Sequence, residues 1–102
     1  MASRAVKSKV RPNPKKSVAN LLEGTQYSPD VLRKMGLYDF HNFPRQVDNF
    51  GSFGRVTHIV GGDGARYTRV DIHGWYRGRE GIFEYIIDSN RVITHRFFNP
   101  IR

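Results

Sequence analysis

The chain has 102 residues, with 17 Lys+Arg against 9 Asp+Glu and a formal charge of +8. That length supports one domain with one modest core, and 38% hydrophobic residues exclude a disordered chain. The absence of cysteine excludes disulfides and thiolate metal sites, and no apolar run approaches the roughly 20 residues of a membrane span.

Residues 1–16 hold Arg4, Lys7, Lys9, Arg11, Lys15 and Lys16 and no acid. With Pro12 and Pro14 and no periodicity, they read as a basic flexible linker. The same charge run can capture a polyanion by counterion release. It contains no apolar stretch of the secretory kind, so export would depend on a carrier. The folded domain is expected over residues 17–102. Ser17 caps a predicted short helix with Val18, Leu21 and Leu22 on one face, ended by Gly24. A second start follows, with Ser28 as N-cap, Pro29 at the first helical position and Asp30 complementing the helix dipole. Val31, Leu32 and Met35 form its apolar stripe and Gly36 ends it. A third short helix is predicted from Pro44 through Val47 and Phe50 to Gly51, with the segment Tyr38 to Phe43 between helices.

After Gly54 the pattern changes to strands. Arg55 to Val60 is rich in β-branched residues, Gly61 to Gly64 is a hairpin turn, and Ala65 to His73 alternates. A second turn lies around Arg77-Gly78-Arg79. Ile82 to Ile87 is a third strand, Asp88 to Arg91 a tight turn, and Val92 to Phe98 a fourth strand. Helices followed by a strand meander predict an α+β domain, with short N-terminal helices packed on a four-stranded antiparallel sheet.

Opposed residues in an antiparallel hairpin have a constant index sum. A two- or four-residue loop in Asp88–Arg91 places Ile87 opposite Val92, Ile86 opposite Ile93 and Glu84 opposite His95. The same bookkeeping across the Arg77 turn puts Tyr67, Arg69, Asp71 and His73 on the Glu84 face. The other face, with Thr68, Val70, Ile72, Phe83, Tyr85, Ile87, Val92 and Phe98, is more apolar and is expected to meet the helices.

A carboxylate beside an imidazole, with an Arg nearby, suits RNA cleavage through the 2′-OH. That reaction needs a base, an acid and cationic stabilisation of the phosphorane, but no metal. The same Glu84–His95 pair also reads as a surface ion pair. The scattered His41, His58, His73 and His95 form no metal-binding motif, and the glycine-rich turn lacks the Lys-Ser/Thr of a P-loop. Trp75, Tyr76, Arg77 and Arg79 read either as a base-stacking group or as a hydrophobic plug at a strand end. A non-catalytic basic RNA-binding module and a protein–protein adaptor are the rival readings.

The runs DFHNFP, VTHIVGGDG, YTRVDI, GIFEYIID and ITHRFFNP, between Leu37 and Pro100, resemble the C-terminal toxin domains of bacterial polymorphic toxins. Those domains end filamentous haemagglutinin-like contact-dependent inhibition proteins and Rhs-type effectors. The resemblance implies a ribonuclease of the barnase–EndoU–colicin–RelE class, with its site on the exposed sheet face. It further implies secretion as part of a larger carrier, action in the target-cell cytoplasm, and neutralisation by a small acidic immunity protein. The toxin would be a monomer before that partner binds. The resemblance points to His41 and to His95-Arg96, and analogy with the class to Arg69 and Glu84. With the shared face this makes His41, Arg69, Glu84 and His95 the expected catalytic set and Arg96, Thr94, Tyr67 and His73 the expected substrate contacts. Glu84 or His41 would be the base, His95 the acid and Arg69 the phosphate clamp. No cofactor, metal or membrane partner is expected.

Overall fold

A computed structural model describes residues 19–101. The expected linker over 1–16, and Ser17 and Val18 of the first predicted helix, lie outside the described residues. From Leu21 the expected helix is instead a turn, closed by Glu23 N–H donating to Asn20 O and Thr25 N–H to Leu22 O. The Asn20 side chain is the physical reason. Its Oδ1 accepts from Leu22 N–H and its Nδ2 donates to the Asp48 carbonyl, a local bonding scheme that competes with the helix.

A two-residue strand β1 (Gln26–Tyr27) leads into helix α1 (Pro29–Lys34). The helix starts as its sequence dictates: the Ser28 hydroxyl accepts from Val31 N–H at 3.1 Å, Pro29 opens the first turn, and Asp30 bridges Arg33 and Lys34. A 3-10 helix spans Arg45–Phe53, entered from Pro44. The strands are β2 (Arg55–Val60), β3 (Arg66–Tyr76), β4 (Arg79–Ile87) and β5 (Val92–Pro100). They form an α+β fold whose sheet has five strands, not four, in the order β1-β5-β4-β3-β2. The sheet is mixed, because β1 pairs parallel with β5 through Gln26↔Val92 and Tyr27↔Ile93.

The three hairpins use two turn designs. Between β3 and β4, Tyr76 pairs with Arg79, so only Arg77 and Gly78 form the loop, and both have positive φ (54° and 75°). That is the backbone of a two-residue hairpin whose twist matches the strands. The other two hairpins have three-residue loops. Gly61 and Ala65 close one, with Gly64 at φ 81°; Asp88 and Val92 close the other, with Arg91 at φ 63°. In both, the Asp carboxylate accepts backbone N–H groups within its own turn.

The core lies on one side of the sheet. Val70, Ile72, Phe83, Tyr85, Ile87, Ile93 and Phe98 face Leu22 and Phe43. Phe43, Phe83 and Phe98 meet edge to face or tilted at 4.7–4.8 Å between centroids. Opposed Gly74 and Gly81 make room for these rings: a Cβ at Gly81 would lie 2.5 Å from Asn99 O and 2.6 Å from the Phe98 ring. The core residue at the start of β5 is Ile93, 1% exposed, and not Val92 as the index sum required.

Candidate active site

The register explains that exchange. The three-residue loop shifts β5 by one residue, so Ile87 faces Ile93. A β-bulge then shifts it by one more, so Ile86 faces His95 and Thr94 is the extra residue. The exposed Thr94 hydroxyl donates to Ile86 O at 3.4 Å. Two slips of one residue cancel in facing. Glu84 and His95 therefore share a face, as diagonal neighbours rather than as an opposed pair. Glu84 itself faces Phe97 and Asp71.

The open face can be written as rows running β3, β4, β5. Arg69, Ile86 and His95 form one row, Asp71, Glu84 and Phe97 the next, and His73, Ile82 and Asn99 the third. Glu84 is the centre. His95 Nε2 lies 3.0 Å from Oε1, while Asn99 Nδ2 donates to Oε2 at 2.9 Å and Arg69 Nη2 lies 3.2 Å from Oε2. Burial raises the Glu84 carboxyl, but the hydrogen bonds from His95 and Asn99 and the Arg69 charge outweigh it and hold it below its ordinary value. Arg69 also donates from Nε to both oxygens of Asp71 at 3.0–3.1 Å, and this bond, with the nearby carboxylate charges, raises an already high guanidinium value further.

His41 reaches the same region from the loop before the 3-10 helix. Its ring packs on Phe97 at 4.8 Å between centroids, and His95 approaches the same ring at 6.3 Å. His41, Thr94 and His95, with Lys34, line one small cleft. His41 is positioned by Asp39, whose Oδ1 takes both the His41 backbone N–H and ring Nδ1 at 2.9 Å. The backbone bond is the main reason the Asp39 carboxyl titrates lower than usual. Two carboxylate–imidazole pairs, Asp39–His41 and Glu84–His95, thus both border Phe97.

The remaining expected site residues lie elsewhere. Tyr67 shares the face but its hydroxyl donates to Asp63 in the first turn, beside a separate cavity of about 340 Å³. His73 is on the face one row beyond Glu84, with Nε2 2.6 Å from Glu80 Oε2. Arg96 contradicts its expected role as a substrate contact. Its side chain has no exposed surface and points into the core, where Nη1 donates to Phe43 O, Nη2 to Pro44 O and Asp48, and the guanidinium lies 3.7 Å above the Phe43 ring. The cause is strand alternation: if His95 faces out, Arg96 faces in.

Sequence reasoning missed Asp39, Phe97 and Asn99. The signals were present as the D-x-H spacing of Asp39 and His41 and the alternation of His95, Phe97 and Asn99. Among the described residues no group of three or more His, Asp or Glu is placed to hold a metal ion, and no helix is long and apolar enough to cross a membrane. Comparison with protein-family models, curated proteins and solved structures finds no match for this chain.

Proposed function

We propose that this chain is a metal-independent endoribonuclease that cleaves RNA by 2′-OH attack, leaving a 2′,3′-cyclic phosphate and a 5′-OH. The observation that carries the reading is the pair of carboxylate–imidazole units that meet at Phe97, with Arg69 on the same open face. In-line cleavage needs a proton removed on one side of the phosphorus and delivered on the other. His41 and His95 fit those two posts. Asp39 engages Nδ1 of His41, which makes Nε2 its working nitrogen; Glu84 engages Nε2 of His95, which makes Nδ1 the working nitrogen there. Glu84 is the poorer base, because both its oxygens accept hydrogen bonds and its carboxyl is held low. We therefore assign His41 as base, His95 as acid, Glu84 as the residue that positions His95, and Arg69 as the clamp on the phosphorane.

The α+β sheet with a polar open face agrees with a barnase/EndoU/colicin/RelE-like domain, and we extend the proposal to that class. In that setting the protein is a toxin domain carried out of the producing cell on a larger protein, acting on RNA in the cytoplasm of a competing bacterium. A small acidic immunity protein would silence it by pairing carboxylates with the basic surface. The test is incubation of the purified chain with RNA, with and without excess EDTA, followed by end-group analysis. Cyclic-phosphate and 5′-OH ends in both samples are the expected result. Salt-dependent RNA retention without cleavage selects the non-catalytic RNA-binding module instead.

A further inference from the structure

The hairpin between β3 and β4 separates two adjacent aromatics to opposite sides of the sheet. Tyr76 turns inward, donates its hydroxyl to Asn42 O at 2.6 Å, and packs against Phe40 and Phe98. It is the hydrophobic plug of this end of the sheet. Trp75 turns to the open face and leaves 65% of its surface exposed. Its indole meets the His73 ring edge to face at 5.1 Å, and His73 is in turn fixed by Glu80. A large aromatic plane is thus held in place on the surface that carries Glu84.

The spacing gives this plane a direction. Trp75 is four residues along β3 from Asp71, the residue that faces Glu84. At about 3.3 Å per residue that is roughly 13 Å along the face. An extended RNA strand crosses that distance in a few nucleotides. The arginines of the adjoining turn serve the other side of the sheet: Arg77 lies over the Phe40 and Tyr76 rings and Arg79 over Phe40, rings that pack against the core. An exposed indole in line with the site, on the face that carries Arg69, matches the stacking platform on which the bases of single strands are held.

We propose that Trp75, steadied by His73, is a base-stacking subsite for single-stranded RNA, lying a few nucleotides from the cleaved bond. The inference rests on the ribonuclease reading but names a distinct part of the surface. It makes the enzyme selective for unpaired RNA, because a base inside a duplex is already stacked between its neighbours and has no face free for the indole.

Trp75 is the only tryptophan in the chain, so its fluorescence reports the subsite directly. A single-stranded 2′-O-methyl oligonucleotide lacks the attacking hydroxyl and binds without being cut. Titrating the full chain with it is expected to quench the emission saturably, and the same sequence as a duplex is expected to quench far less. In parallel, Trp75→Ala should lower kcat/KM for a single strand of about ten nucleotides by roughly 10- to 100-fold relative to a dinucleotide, with most of the loss recovered in Trp75→Phe. Equal losses on both substrates, or emission that ignores the oligonucleotide, overturn the subsite. Quenching by the strand with no cleavage of any RNA upholds the subsite and overturns the ribonuclease reading. Cleavage with silent Trp75 does the reverse.

Discussion

On the covered side of the sheet, Asp48 accepts hydrogen bonds from Arg96, Tyr27 and Tyr85; on the open side, Glu84 accepts from His95, Arg69 and Asn99. The two clusters share a backbone. Glu84 and Tyr85 are consecutive on β4, His95 and Arg96 on β5, and alternation sends one of each pair to each side. Their circumstances differ. Arg96 has no exposed side-chain surface, whereas His95 and Arg69 keep 37% and 32% of theirs. Burial and the Asp48 bond raise Tyr27 to about 12 and Tyr85 further, so both hydroxyls remain donors. The closed cluster has its partners inside the protein and ties the Arg45–Phe53 segment to the sheet. The open cluster is held by Glu84 and still presents the Arg69 cation and the His95 ring to solvent. Similar chemistry therefore stabilises the fold on one side and is available to a ligand on the other.

The largest expected effect tests the closed side. Asp48→Ala leaves the buried Arg96 guanidinium without its counter-ion and should remove about 3–5 kcal/mol of stability. Urea unfolding measures the loss, and cleavage per folded molecule should be retained. A variant as stable as the unmodified chain would show that Asp48 and Arg96 do not hold the 3-10 helix to the sheet.

On the open side the balance reverses. His95→Ala should lower kcat by about 10²–10⁴-fold, with an unfolding midpoint close to that of the unmodified chain. Arg69→Ala should lower kcat by about 10²–10³-fold, and Arg69→Lys should recover only part, since the ammonium lacks the two-pronged geometry that meets a phosphate. Equal activity in the lysine and arginine forms would mean that charge alone is used at this position. A His95→Ala chain that unfolds much earlier would place His95 with the structural cluster instead.

The difference between the two sides was only half legible in the residues. The Ser28-Pro29-Asp30 start and the period-two alternation of β3 and β4 led to the correct helix, faces and Arg69–Glu84 neighbourhood, because local chemistry decides them. The three-residue loop at Asp88–Val92 was hidden by Arg91, which takes the left-handed conformation that Gly64 advertises in the matching turn. Arg91 is held there by tertiary bonds, its carbonyl accepting from Gln26 N–H and its guanidinium donating to Glu23 O. The bulge at Thr94 left no compositional mark either. Missing both shifts cancelled for His95, but it put Val92 in the core in place of Ile93. Strand β1 spans two residues, too few for any periodicity, whereas the inward turn of Arg96 was legible: the resemblance named it beside His95, but alternation from an outward His95 already sends it to the covered side.

The smallest effect concerns how firmly the open carboxylate is held. Glu84 is buried enough to be pushed up, yet its folded value lies below the ordinary 4.5 because its donors prefer the ionised form. A depressed folded value stabilises the fold above the unfolded value, and the contribution is lost as pH falls through the folded one. In the folded chain Glu84 should therefore take up its proton below 4.5, releasing His95. Asn99 supplies one of the opposing hydrogen bonds from an exposed position at the end of β5. Asn99→Ala should move the Glu84 titration, followed by the NMR signal of its side-chain carboxyl, upward toward the ordinary value, while kcat at neutral pH changes little. The parallel readout is stability, whose fall with acid should begin at the same pH, set by the unfolded value, and be smaller in the variant, because its folded value lies closer to the unfolded one. If Asn99→Ala lowers kcat and leaves the Glu84 titration in place, Asn99 contacts the substrate and does not set the charge on Glu84. If neither moves, the hydrogen bond contributes nothing, and His95 and Arg69 alone hold the carboxylate low.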